Sequence, residues 1–291
     1  MQTDSGAPRA DDMGLPIGLT LVRASEIYGA EPWFHEFTAG IDQVVRPIGH
    51  SVLLRVLGSR ADELEWLRRW QTDRAVAGVV LVDLVEDDPR VQLVAEVGLP
   101  AIAVSSPAVS NGLPTVWTND DAAMRTAVHA LAGFGHRSIG LVSGPEELAH
   151  TVTRAAAFAD ACSELEIAAH SAAGDYSSES GGRAFESLFV DEQASPTAVV
   201  FDNDLMALGG LAAARRAGLR VPEDVSLVAW DDSALCQLSD PPLAALSHDV
   251  QRIGRLVGEA MSAILEGKKP PVVEAPAIRF VQRDSVAEAP R

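Results

Sequence analysis

Residues 196–232 set the tightest limits on what this chain can become. Val199-Val200-Phe201 is an apolar run too short for a helix, and Asp202-Asn203-Asp204 follows it without a gap. Asp204 stands where an N-cap accepts a helix-start N–H, Leu205 to Ala217 is rich in alanine and leucine, and Gly218 marks the stop. Val225 to Trp230 is the next short apolar run, with Asp231-Asp232 directly behind it. Strand, capped helix and strand in this order point to an open parallel sheet. Ligands of such sheets bind beyond the carboxyl ends of the strands, which is where Asn203 and Asp231 fall.

The same alternation runs along the rest of the chain. Pro16 to Val22 reads as a strand, Trp33 to Arg46 as a helix, Ser51 to Leu57 as a strand and Ala61 to Asp73 as a helix. Gly78 to Val82, Val91 to Val97 and Ala101 to Val104 continue it, and Ser105 to Pro114 reads as a loop. A second series begins after Gly135, with a strand over Ile139 to Ser143 and helices over Thr153 to Leu165 and Ser178 to Val190. Two series of similar size predict two similar lobes, each a parallel sheet covered by helices.

Composition excludes several classes. With 291 residues, 47% of them hydrophobic, a substantial core is available, and no apolar run approaches the length of a membrane span. Met1 to Asp12 lacks the basic start and apolar middle of a signal peptide, so a cytoplasmic location is expected. Cys162 and Cys236 are the only cysteines and are expected as free thiols. A formal charge of −18 opposes nucleic-acid binding by the chain itself, and Arg68-Arg69, Arg215-Arg216 and Lys268-Lys269 read as solvated basic pairs. There is no Gly-x-Ser-x-Gly, Walker loop, His-Glu-x-x-His or Cys-x-x-Cys. Glu146-Glu147 and Asp87-Asp88 read as solvated loop acids, and His129 and His136 lack the partners a metal requires. No catalytic residue, metal or cofactor is expected.

A set of motifs in fixed order adds a family resemblance. Gly135-His136-Arg137-Ser138-Ile139 is followed by Gly144-Pro145, then by Arg154 with Phe158 and Ala161. The 196–232 block contains Val221-Pro222-Glu223-Asp224-Val225-Ser226, and Pro241-Pro242-Leu243, Gly254 and Arg283-Asp284-Ser285 complete the set. From Leu15 to Ala287 the chain resembles the effector-sensing core of the lactose-repressor/galactose-repressor (LacI/GalR) family of bacterial transcription regulators. The resemblance implies an α/β fold of the periplasmic-binding-protein-like type I class, two doubly wound parallel-sheet lobes joined by three crossovers. Their expected extents are 14–134 plus 249–276 and 135–248 plus 277–284, with a disordered segment at 1–13 and a fraying tail at 285–291.

The resemblance also implies a homodimer that binds a small polar effector, a sugar or sugar derivative, in the cleft between the lobes. Effector binding would shift lobe orientation and so control operator DNA. Relatives read DNA with an N-terminal helix-turn-helix, and here the family core starts almost at the first residue. The head is expected to be missing, either because the chain is a core cut from a longer protein or because a natural protein lost it. The alternatives are a solute-binding protein serving a sugar transporter, which the absent signal peptide disfavours, and a sugar or nucleoside hydrolase, which would need a carboxylate pair that nothing singles out.

Residue by residue, the site would be built as follows. Arg154 reads as the start of a helix, where a cation opposes the helix dipole, and it matches the family's ligand-contacting arginine. Asp231 accepts hydrogen bonds from hydroxyls, Asn203 donates and accepts, and Asp204 and Asp232 read as structural caps. Tyr176, after Gly174-Asp175, falls where relatives lay an aromatic ring against the ligand. His248 stands in a crossover beyond the strand Ala244 to Ser247. From the first lobe, Arg23, Tyr28, Glu31 and Trp33 could line the opposite wall, Trp33 and Phe34 being equally readable as helix-face core. Asn119 matches a family asparagine near the cleft, with capping at Asp120 and Asp121 as the alternative. Trp66 and Trp70 offer a candidate dimer face on the Ala61 to Asp73 helix, or core packing.

Overall fold

The computed structural model describes residues 14–23, 31–190 and 195–290. Tyr28 and the 1–13 segment lie outside them. In chain order the first elements are β1 (Ile17–Val22), α1 (Pro32–Val45), β2 (Val52–Leu57), α2 (Arg60–Asp73), β3 (Gly78–Leu81), α3 (Pro89–Val97), β4 (Ala101–Val104) and β5 (Thr115–Trp117). Next come α4 (Asp120–Gly133), β6 (Ser138–Ser143), α5 (Ala149–Glu164), β7 (Ala168–Ala173), α6 (Ser178–Ser187), β8 (Ala198–Phe201), α7 (Asp204–Arg216) and β9 (Ser226–Trp230). The chain closes with α8 (Ala234–Leu238), β10 (Ala244–Ser247), α9 (Val250–Leu265), β11 (Val273–Glu274) and β12 (Arg279–Val281).

These elements form two units. One runs through Thr118 and resumes over Asp249–Ala275; the other spans Asn119–His248 and Pro276–Arg291. Each holds a six-stranded sheet, in the orders β11-β5-β4-β3-β1-β2 and β12-β10-β9-β8-β6-β7. All pairings are parallel except that of β12 with β10. Within each sheet the strand order reverses at one point, between β1 and β3 in the first and between β6 and β8 in the second. In doubly wound sheets that reversal opens a crevice at the carboxyl ends of the strands.

The apolar runs become central strands because both of their faces are covered, and β3 and β8 are buried along their whole length. In the first unit Ile17, Leu19, Phe37, Ile41, Val257 and Met261 pack on one side of the sheet, and Leu67, Trp70, Val79, Leu81 and Val94 on the other. In the second, Met124, Val128, Phe158, Val200, Val228 and Trp230 share a core.

Four local expectations change. The first crossing between units lies at Thr118 and Asn119, not at 134 and 135, because the apolar face of α4 packs with α5 in the second unit's core. The cap of α7 is Asn203, whose Oδ1 accepts from Met206 N–H at 2.8 Å, so Asp204 is the first helical residue. The 285–291 tail is integral as far as it is described. Ser285 Oγ donates to Leu227 O (2.7 Å) and accepts from Ala244 N–H (2.8 Å), and Ala289 N–H donates to Phe134 O (2.8 Å). Asp88, read as solvated, is buried and caps α3.

Two helix pairs meet at glycines. A Cβ on Gly209 of α7 would stand 1.8 Å from Ser178 O at the start of α6, and one on Gly254 of α9 2.2 Å from Phe37 O in α1. Cys162 and Cys236 are buried free thiols. Among the described residues no helix is long and apolar enough to cross a membrane.

Candidate functional site

In the second unit the groups expected to hold a ligand gather beyond the carboxyl ends of the strands. Gly144 follows β6, Asp202 and Asn203 follow β8, Asp231 follows β9 and His248 follows β10. The Gly144 N–H donates to Asp202 Oδ2 at 2.9 Å, which closes the crevice between β6 and β8 from below.

Arg154 stands in the second turn of α5 rather than at its start, since the helix begins at Ala149. Opposition to the helix dipole is therefore not what marks it. Its guanidinium is buried and lies 3.7 Å from the ring centroid of Trp230. Nε donates to Asp120 Oδ2 (3.3 Å), Nη1 donates to Asp202 O (3.3 Å), and Asp202 Oδ1 lies 3.8 Å from Nη1. Burial is the largest influence on its acidity and works against the charge, but Asp120, Asp202 and Asp231 outweigh it and hold the group firmly protonated.

The carboxylates are less comfortable. Burial pushes Asp202 up to about 6 despite Arg154 and the Gly144 N–H, with Asp120 and Asp231 adding to the rise. Asp204 is also pushed up to about 6, by burial and then by Asp231. Asp202 Oδ1, Asp204 Oδ2, Trp230 Nε1 and His248 Nδ1 are buried without a hydrogen-bond partner. Orphaned polar atoms are uncommon in a finished core, which makes this cluster the candidate ligand site.

Asp231 and His248 come together, with His248 Nε2 and Asp231 Oδ1 2.6 Å apart. Asp231 and Tyr176 both hold left-handed backbone conformations, at φ 72° and 71°. For side chains of this kind that is strained, and such strain collects at binding loops. Asn203 is buried and commits both ends of its amide: Oδ1 caps α7, and Nδ2 donates to Tyr176 O at 3.0 Å. It positions Tyr176. The Tyr176 ring covers Gly144, where a Cβ would lie 2.4 Å from Cζ, and its hydroxyl meets His150 Nε2 (2.7 Å) and Thr151 Oγ1 (3.3 Å). The polar handle expected to face a ligand is thus already anchored on α5. Asn119 is itself the cap of α4, accepting from Ala122 N–H at 3.1 Å, while Asp120 turns to Arg154.

In the first unit Arg23 follows β1. Its Nη2 lies 2.8 Å from Asp83 Oδ2, beyond β3, and its Nε 3.6 Å from Glu31 Oε2. Arg23 thus lies against Glu31 and against Asp83, which was not singled out from the sequence. Trp33 stacks on Phe37 (4.7 Å) and meets Phe34 edge-on (4.8 Å), in line with the core alternative. Trp70 is buried against Gly18, whereas Trp66 is covered by the Arg55 guanidinium at 3.4 Å. Asp83, Asp202 and Trp230 were not singled out, and Asp120 was read only as a helix cap, although Asp202 and Trp230 stand at strand ends as Asn203 and Asp231 do.

Known proteins share this chain's sequence pattern and fold. Residues 128–286 match the periplasmic binding protein-like domain. The HTH-type transcriptional regulator reg1 of Streptomyces lividans is 32% identical over 279 residues, covering 89% of this chain and 78% of that protein. A crystal structure of a LacI family transcriptional regulator from Bifidobacterium animalis subsp. lactis is 34% identical, with a TM-score of 0.87 over 95% of this chain and 99% of its own. The transcriptional regulator CelR–cellobiose complex is 26% identical, with a TM-score of 0.83 over 96% of this chain and 86% of its own.

Proposed function

Because this chain belongs to the LacI family of transcriptional regulators, as an effector-binding core, we propose that its effector is a neutral sugar engaged by Arg154, Asp202, Asp231 and Arg23. The observation that carries this is the orphaned, carboxylate-rich set around Arg154. Asp202 Oδ1 and Asp204 Oδ2 are acceptors in need of donors, and sugar hydroxyls supply them. An anionic effector would meet four carboxylates around one arginine whose charge is already balanced by Asp120 and Asp202. The structural likeness to a cellobiose-bound regulator supports the same class.

An effector that takes hydrogen bonds from both units binds best in the orientations that let both reach it. Only this difference in affinity can shift the population. In a homodimer carrying helix-turn-helix segments, that shift would alter operator binding. The charge of −18 on the core keeps it from competing for DNA.

Calorimetric titration with cellobiose, maltose, glucuronate and cytidine tests the class. A neutral sugar is expected to bind, and Arg154→Ala and Asp231→Asn are each expected to weaken it by about a hundredfold, the scale of losing one partner of a buried charged pair. Tighter binding of glucuronate than of either sugar, or affinity unchanged by Arg154→Ala, would overturn the reading. Product formed from a bound sugar would restore the hydrolase alternative.

A further inference from the structure

The first unit buries a second set of charges. Glu63 on α2, Arg90 on α3 and Asp88 at the cap of α3 are all enclosed. Arg90 grips both oxygens of Asp88 with Nε (2.9 Å) and Nη2 (2.6 Å), and its Nη1 donates to Glu63 Oε1 at 2.8 Å. Thr20 on β1 donates to the same oxygen at 2.6 Å, and Arg60 Nη1 donates to Glu63 Oε2 at 2.8 Å. For stability alone, well-packed apolar residues serve as well as buried ions or better. What the ions add is geometry.

That geometry converges on one backbone atom. The carbonyl oxygen of Asp83 accepts from Arg90 Nη2 (3.0 Å) and from Arg60 Nη2 (3.1 Å). Asp83 is held at φ 52°, a conformation that disfavours a residue with a Cβ by roughly 1 kcal/mol, and two charge-assisted bonds offset this. Held this way, its side chain meets Arg23 across the β1–β3 reversal, 2.8 Å from Nη2. Arg23 also donates through Nη1 to Val22 O, and its guanidinium sits 5.8 Å from the Phe34 ring. A free arginine side chain carries about 2 kcal/mol of rotamer entropy, and a ligand that finds it already fixed need not remove that freedom.

We infer that the Thr20–Glu63–Arg90–Asp88 network, with Arg60, is a positioning device that fixes Asp83 and thereby presets Arg23 for the effector. The inference rests on the reading of Arg23 as an effector-contacting group. Its constituents are positioning residues, since they act through Asp83 and Arg23.

The test has a sugar-free arm and a binding arm. In the nitrogen-15-labelled protein, the Nε–H signal of Arg23, identified by its loss in Arg23→Lys, is expected to exchange with solvent at least about tenfold faster in Arg60→Met and Arg90→Lys. Arg60→Met keeps the test alive should Arg90→Lys fail to fold, because the Arg60 side chain is 29% exposed. In cellobiose titrations, Arg60→Met is expected to weaken binding about tenfold in the natural background and to change nothing when Arg23→Ala is already present. Unchanged Arg23 exchange in Arg60→Met, or a loss of affinity that adds fully to that of Arg23→Ala, overturns the inference. If the natural protein binds none of the sugars, the proposed function fails while the exchange measurement still decides this one.

Discussion

Asp202 and Asp204 hold their protons more tightly in the fold than in the unfolded chain, since burial lifts both to about 6 from an ordinary value near 4. The sign of the effect on stability follows from linkage: between those two values the native state binds more protons, so stability falls as pH rises from about 4 to about 6 and levels off above. Denaturant unfolding across this range should show that decline in the natural protein and a much flatter profile in the Asp202→Asn, Asp204→Asn double variant. A decline of the same size in both would sink the account. Legibility at this scale was uneven for a physical reason. A polar residue directly behind an apolar strand, like Asn203 or Asp231, has its position fixed by the strand and can be read from sequence. Asp83 and Asp88 lie among four acids within the six residues from 83 to 88, where nothing separates an enclosed carboxylate from a solvated one; what encloses Asp88 is its ion pair with Arg90, which the fold sets against Glu63.

Elements were most readable where burial is complete. β8 and β9 carry unbroken apolar runs, whereas β7 reads Ala-Ala-His-Ser-Ala-Ala and lies half exposed at a sheet edge, so it left no hydrophobic signal and was missed. β5, at three residues, is shorter than any pattern can register. Helix ends moved by a few residues because the cap depends on which side chain reaches the first turn, as Asn203 does ahead of Asp204. The glycine seams make a prediction at this scale. Gly209→Ala places a methyl group 1.8 Å from the Ser178 carbonyl, so α6 and α7 must separate, at a cost of about 1–3 kcal/mol or more. Gly133→Ala, in α4 with open space around it, should instead be neutral or stabilising by about 0.5 kcal/mol. Chemical denaturation of the two variants side by side checks the contrast.

Across the whole molecule, the two sheets share one strand order although their sequences do not visibly repeat, so the doubling was legible only as architecture. If the effector biases the relative orientation of the units, saturating cellobiose should change the radius of gyration measured by small-angle X-ray scattering, and Arg154→Ala should abolish the change. A bound sugar with an unaltered scattering curve would separate binding from reorientation. The backbone passes from one unit to the other three times, near 118, 248 and 275. A single proteolytic nick at the middle passage, near 248, therefore leaves two covalent tethers in place: the product would migrate as two fragments on a denaturing gel, yet neither fragment would hold a complete unit, and under native conditions they would elute as one particle.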